Sequence, residues 1–132
     1  MGNQYLDAAQ IVALCGEKGF LARQLYLVHT RPVAGLDAVM DCLEEHLAYQ
    51  VALERRGVLF AAGPIFSDDG QRWSGEGCVA IRAGSLDEAR EIAALDPMHA
   101  RGARRFIVQP WLVNEGSVTI RVNFSDGSGA FV

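Results

Sequence analysis

Two residues have the types and setting needed to move a proton. His46 stands in "EEHLAYQVALERRG", a stretch whose apolar residues recur every three or four positions. It follows Val39 by seven residues and Leu43 by three. At about 100° per residue it falls within about 20° of Val39 around a helix, so it should point inward. A buried imidazole needs a hydrogen-bond partner. Asp96, in "LDPMHA", precedes Pro97 and can cap a following helical turn. One of its oxygens can do that while the other accepts an imidazole N–H. A carboxylate so placed fixes the tautomer and stabilises the imidazolium, which is the wiring of a general base. Spacing alone leaves a second reading open, a core histidine satisfied by a backbone carbonyl and an aspartate that only caps a turn.

Other residues are candidates for shaping a substrate pocket. Gly63 and Pro64 close the apolar run "VLFAAGP", although an ordinary turn explains them equally well. Phe60, Phe66 and Trp73 can supply apolar walls, and core packing is the competing role for Phe60. Ser67 sits in the turn-rich "SDDG" and can reach a pocket mouth or simply face water. Arg82 can hold an anionic group or make a surface ion pair. His99 is expected to be exposed on the turn after Pro97, and Trp111 to be a core or interface aromatic.

Several chemistries lack their signatures. The three histidines and three cysteines are dispersed, without H-x-x-x-H or C-x-x-C, so no metal site is expected. No phosphate-cradling glycine loop and no G-x-S-x-G elbow occurs, and no cofactor is expected. The net charge is −4, and the densest basic group is Arg101, Arg104 and Arg105. Nucleic-acid binding is disfavoured on that balance, and the arginines are expected on a solvated face or a dimer rim. No apolar run approaches the length of a membrane span, and no signal-peptide pattern opens the chain. Dispersed, odd-numbered cysteines suit free thiols in a reducing compartment, and a cytoplasmic setting is expected.

The elements that must position these groups can be read from periodicity and punctuation. The 132 residues suit a single domain. "LDAAQIVALCGEKG" is patterned as a helix with Leu6, Ile11, Leu14 and Cys15 on one face. "QLYLVHT" reads as a buried strand. Leu36, Val39, Met40, Leu43, Leu47 and Val51 make the next helix amphipathic, and Gly57 stops it. "VLFAAGP" and "CVAIRA" read as strands. "SLDEAREIAALDP" opens with a capping-box pattern at Ser85 and Glu88 and must end near Asp96. "RRFIVQPWLV" is a strand whose Pro110 confines it to an edge or a bulge. "SVTIRVNF" alternates as one more strand, and the tail "SDGSGAFV" is expected to be loosely held. The order is the split βαβ pattern of an antiparallel ferredoxin-like sheet with helices on one face, plus an N-terminal helix and a C-terminal strand. The uncovered sheet face is apolar, which predicts a homodimer.

Taken in order, "EEHLAYQVALERRGVLFAAGPIFSDDG", "GCVAIRAGSLDEAREIAALDPMHARGA" and "FIVQPW" resemble the YCII-related family. The resemblance runs from about residue 25 to 111, with residues 1–23 and 112–132 as extensions. It implies a dimeric α+β barrel of ferredoxin-like subunits and a His–Asp active site, carried over to His46 and Asp96. One branch of that family dehydrochlorinates a chlorinated hydroxyquinol. The resemblance therefore implies a cofactor-independent lyase or isomerase acting on a small hydroxylated, possibly aromatic, compound. The rival expectation is a non-catalytic small-molecule-binding or assembly module in which the His–Asp hydrogen bond is structural.

Overall fold

The structure, a computed structural model, describes Gly2 and residues 4–132. It divides into two compact units, Gln24–Leu112 and a second made of Met1–Arg23 with Val113–Val132.

The larger unit is built on a four-stranded sheet. Its strands are β1 (Arg23–Pro32), β2 (Leu59–Pro64), β3 (Gly77–Ile81) and β4 (Arg104–Val113), in the spatial order β2-β3-β1-β4. β3 runs antiparallel to both β1 and β2. This is the ferredoxin-like arrangement, with α2 (Leu36–Arg55) and α3 (Leu86–Ala94) as the crossover helices. β4 lies at an edge, where Pro110 costs no ladder bond. Alternation along the strands sends Tyr26, Val28, Val79 and Ile81 toward the helices, where they pack with Ala89 and Ala93 of α3. Phe106 and Val108 of β4 join this cluster, while Ile107 between them is 60% exposed.

Gly57 ends α2 in the left-handed conformation at φ 73°, which a residue with a Cβ adopts only at a cost. The sealed stripe of α2 is Val39, Cys42, His46, Gln50 and Leu53. It is rotated from the stripe expected from apolar residues alone. Leu47 and Val51, expected in the core, are half exposed because they border an open cavity. α3 is capped by Ser85, whose hydroxyl accepts from the Glu88 N–H at 3.1 Å. Leu95 and Asp96 separate α3 from α4 (Pro97–Ala100). The single turn of α4 places Met98, fully buried, beside Val39 and Cys42.

The smaller unit contains α1 (Ala8–Glu17), β5 (Ile120–Val122) and β6 (Gly129–Phe131). In α1 only Cys15 is buried; Leu6, Ile11 and Leu14, expected on an inward face, are exposed. The strand expected over 117–124 is shorter, and the tail expected to be loose forms β6 and pairs with β5. Local turn chemistry makes the difference. Asn123 N–H donates to the Ser128 carbonyl at 2.8 Å, Asp126 accepts from Ser128, and Gly127 takes φ 71°.

Candidate active site

A cavity of about 600 Å³ opens between α2 and the β2–β3 side of the sheet. From α2 it is lined by Leu43, His46, Leu47, Gln50, Val51 and Glu54. The strands contribute Thr30, Leu59, Ala62, Gly63, Pro64, Gly77, Cys78, Val79 and Arg104, and the β2–β3 connection adds Phe66 and Trp73. The lining is mostly apolar, with a few polar groups converging on it, as small-molecule sites commonly are.

His46 is 9% exposed and Asp96 is 3% exposed. The His46 Nδ1 lies 2.9 Å and 2.8 Å from the two carboxylate oxygens of Asp96. Asp96 also caps α4, its Oδ1 accepting the Met98 N–H at 2.9 Å. The Gln50 Nε2 donates to its Oδ2 at 3.2 Å. With Nδ1 donating to a carboxylate, the neutral ring keeps its lone pair on Nε2. That nitrogen has no partner among the described residues, and the ring borders the cavity. Burial pushes the Asp96 carboxyl up, but the hydrogen bonds from His46 and Met98 and the neighbouring histidine charge outweigh it. The net result lies below the usual carboxylate range. Gln50 Oε1 is buried and unpartnered. Tyr49 completes this end of α2, its hydroxyl donating to the Ile92 carbonyl at 2.6 Å. Burial, then the Asp96 charge, raises its pKa.

A second histidine takes part in the same region. His99 is half buried and stacked on Phe106 at 4.3 Å, which corrects the expectation of an exposed side chain. Its Nδ1 donates to the Ala93 carbonyl at 2.6 Å, and its Nε2 then accepts the Thr30 hydroxyl at 2.7 Å. Burial lowers its pKa. The turn of α4 folds back on α3, which is why a residue so close to Pro97 is enclosed.

Gly63, Pro64 and Trp73 line the cavity with His46. The indole N–H of Trp73 is fixed by the Glu76 carbonyl at 2.8 Å. Phe60, Ser67 and Arg82 do not line it. The β2 register shifts at Phe60, and this bulge leaves the ring exposed, 5.4 Å from the Arg82 guanidinium. Arg82 is occupied by the Gly57 and Leu59 carbonyls. Ser67 closes its own exposed turn with Asp69 and Arg72. The basic group 101–105 is not one solvated face. Arg101 pairs with Glu45 at the surface and Arg105 is exposed, but Arg104 is 5% exposed and reaches the cavity. Strand alternation explains the split, since Arg104 shares the inward parity of Phe106 and Val108. Burial lowers its pKa, partly offset by the Asp96 charge. Cys78 also borders the cavity, and burial raises its thiol pKa. Sequence reasoning passed over Gln50, Thr30 and Arg104. Only Gln50 carried a readable signal, lying one helical turn beyond His46.

Sheet order and enclosed His–Asp pair together define a cavity-bearing ferredoxin-like α+β protein. The chain belongs to the YCII-related family, whose domain model matches residues 23–112. Among solved structures it is similar to 5-chloro-2-hydroxyhydroquinone dehydrochlorinase from Burkholderia phenoliruptrix, in complex with 2,5-dihydroxybenzoquinone. That match has 25% identity and a TM-score of 0.55, covering 66% of this chain and 92% of the other. No curated protein matches significantly. Among the described residues, no helix is long and apolar enough to cross a membrane.

Proposed function

We propose that the chain is a lyase or isomerase, dehydrochlorinase-like, in which His46 is the general base and Asp96 its orienting partner. The observation that carries this reading is the His46 ring, with Nδ1 held by Asp96 and Nε2 left unbonded beside a cavity of about 600 Å³. The substrate is a small hydroxylated, ring-bearing compound. Nε2 takes a proton from its hydroxyl or from an acidic carbon. The released electron pair moves into the ring. It is reprotonated at another carbon, which completes an isomerisation; where that carbon bears a leaving group, loss of a second proton from a hydroxyl then expels the group with its bonding pair. Asp96 stabilises the imidazolium throughout, and proton transfer of this kind requires no cofactor. The similarity to a dehydrochlorinase supports the elimination branch.

The same reading includes a homodimer and a cytoplasmic setting. Ile107, on the face of the sheet away from α2 and α3, is 60% exposed, and a second copy would cover it. The three cysteines are free, as a reducing compartment would keep them.

The test is turnover on a panel of chlorinated and unchlorinated hydroxyquinols, followed by halide release and quinone absorbance. His46→Gln should fold and lose about 10²–10⁴-fold in rate. Equal turnover by wild type and variant would remove His46 from the chemistry. A wild type that binds the panel but turns over none of it would favour a binding module.

A further inference from the structure

Arg104 is the least expected residue of the cavity. Its guanidinium stays charged at any ordinary pH, yet the residue is 5% exposed and borders the cavity. No hydrogen bond or ion pair joins its side chain to any described residue, and its Nε is sealed without a partner. Asp96, the carboxylate whose charge acts on it, is already occupied by His46, Gln50 and Met98. Glu54, the acidic residue of the cavity lining, is exposed. Burying a charge without a counter-ion is costly, so such a group is retained where a ligand supplies the missing partner.

The surroundings define that ligand further. Arg104 begins β4, and its side chain reaches across β1 toward β3. There Nη1 lies 3.8 Å from where a Cβ on Gly77 would stand. Thr30 of β1 faces Gly77 in the register, and its hydroxyl proton is committed to His99. Trp73 stands with its ring centroid 6.0 Å from the guanidinium carbon. A flat, charged fork beside an indole suits a flat ligand.

We propose that Arg104 determines substrate specificity by capturing an anionic oxygen carried on a flat ring, with Trp73 packing against that ring. This rests on the reading of the cavity as a substrate site and names the substrate class, a ring-borne oxyanion. The Thr30 hydroxyl oxygen, its proton given to His99, accepts a hydrogen bond from a neighbouring hydroxyl of the same ligand. The anion neutralises Arg104, and the unbonded Nε2 of His46 remains free to accept a proton.

Isothermal titration of the full chain tests this without requiring turnover. The probes are ionised 2,5-dihydroxybenzoquinone, benzoate and uncharged hydroquinone. Wild type should bind the ring oxyanion about tenfold or more tighter than hydroquinone. The benzoate arm separates a ring oxyanion from a carboxylate. Arg104→Met should abolish the preference while leaving hydroquinone affinity within about twofold. It should also melt no lower than wild type, because it removes a desolvated charge. Arg104→Lys keeps the charge but loses the planar fork, and should retain a preference weakened several-fold. The proposal is overturned if wild type shows no anion preference, if benzoate binds tighter than the ring oxyanion, or if both variants keep the preference intact. Anion capture through Arg104 in a protein without turnover would instead count against the general-base reading alone.

Discussion

Asp96 uses one carboxylate for two purposes. It ends the break between α3 and α4 by accepting the Met98 N–H, and it holds the His46 ring by Nδ1. These purposes separate in Asp96→Asn. Asparagine ranks beside aspartate as an N-cap, so α4 should persist and the protein should fold. The amide N–H would face His46 Nδ1, however, and drive the proton to Nε2. The ring would then present a donor to the cavity where a base is needed. Turnover should fall by about 10²-fold or more with only a small change in melting temperature. Nitrogen chemical shifts of His46 should report the exchanged tautomer. An unchanged tautomer with full activity would show that Asp96 does not orient the ring.

At the scale of elements, α4 carries a pH dependence. His99 has its pKa lowered by burial, so the unfolded chain binds more protons than the folded one. Its contribution to stability is therefore present above the unfolded value of about 6.5. It is lost as pH falls from there toward the lower folded value. Asp96, also lowered, acts in the same direction but at more acid pH, below about 3.9. The melting temperature should fall between neutral and mildly acid pH, and His99→Gln should flatten that first decline. A decline that survives the substitution would assign it elsewhere. The elements themselves were largely legible. Gly57, Ser85 and Pro97 mark helix ends through backbone requirements that act locally, and Pro110 marks an edge strand for the same reason. The inward turn of His46 followed from helical geometry. What sequence did not disclose were outcomes of tertiary register. The bulge at Phe60 turned a supposed wall outward, and strand parity sent Arg104 inward from a basic cluster. The open cavity left Leu47 and Val51 half exposed, although their pattern marks them as core.

At the scale of the whole molecule, the sheet face opposite α2 and α3 sets the expected assembly. Ile107 is 60% exposed between two residues that pack inward. A second copy covering that face would bury it, so Ile107→Glu should convert a dimer to a monomer in sedimentation velocity. A buried unpaired carboxylate at an apolar contact costs several kcal/mol, on the order of what holds a modest dimer together. A wild type that sediments as a monomer would leave the face for some other cover.

Cys78 borders the cavity, and its burial raises the thiol pKa. If the reaction releases a quinone, its product is an electrophile that alkylates thiolates. Strand alternation turns the Cys78 side chain to the face opposite Val79 and Ile81, which pack toward the helices, so the pleat of β3 keeps that thiol away from any product released beside His46.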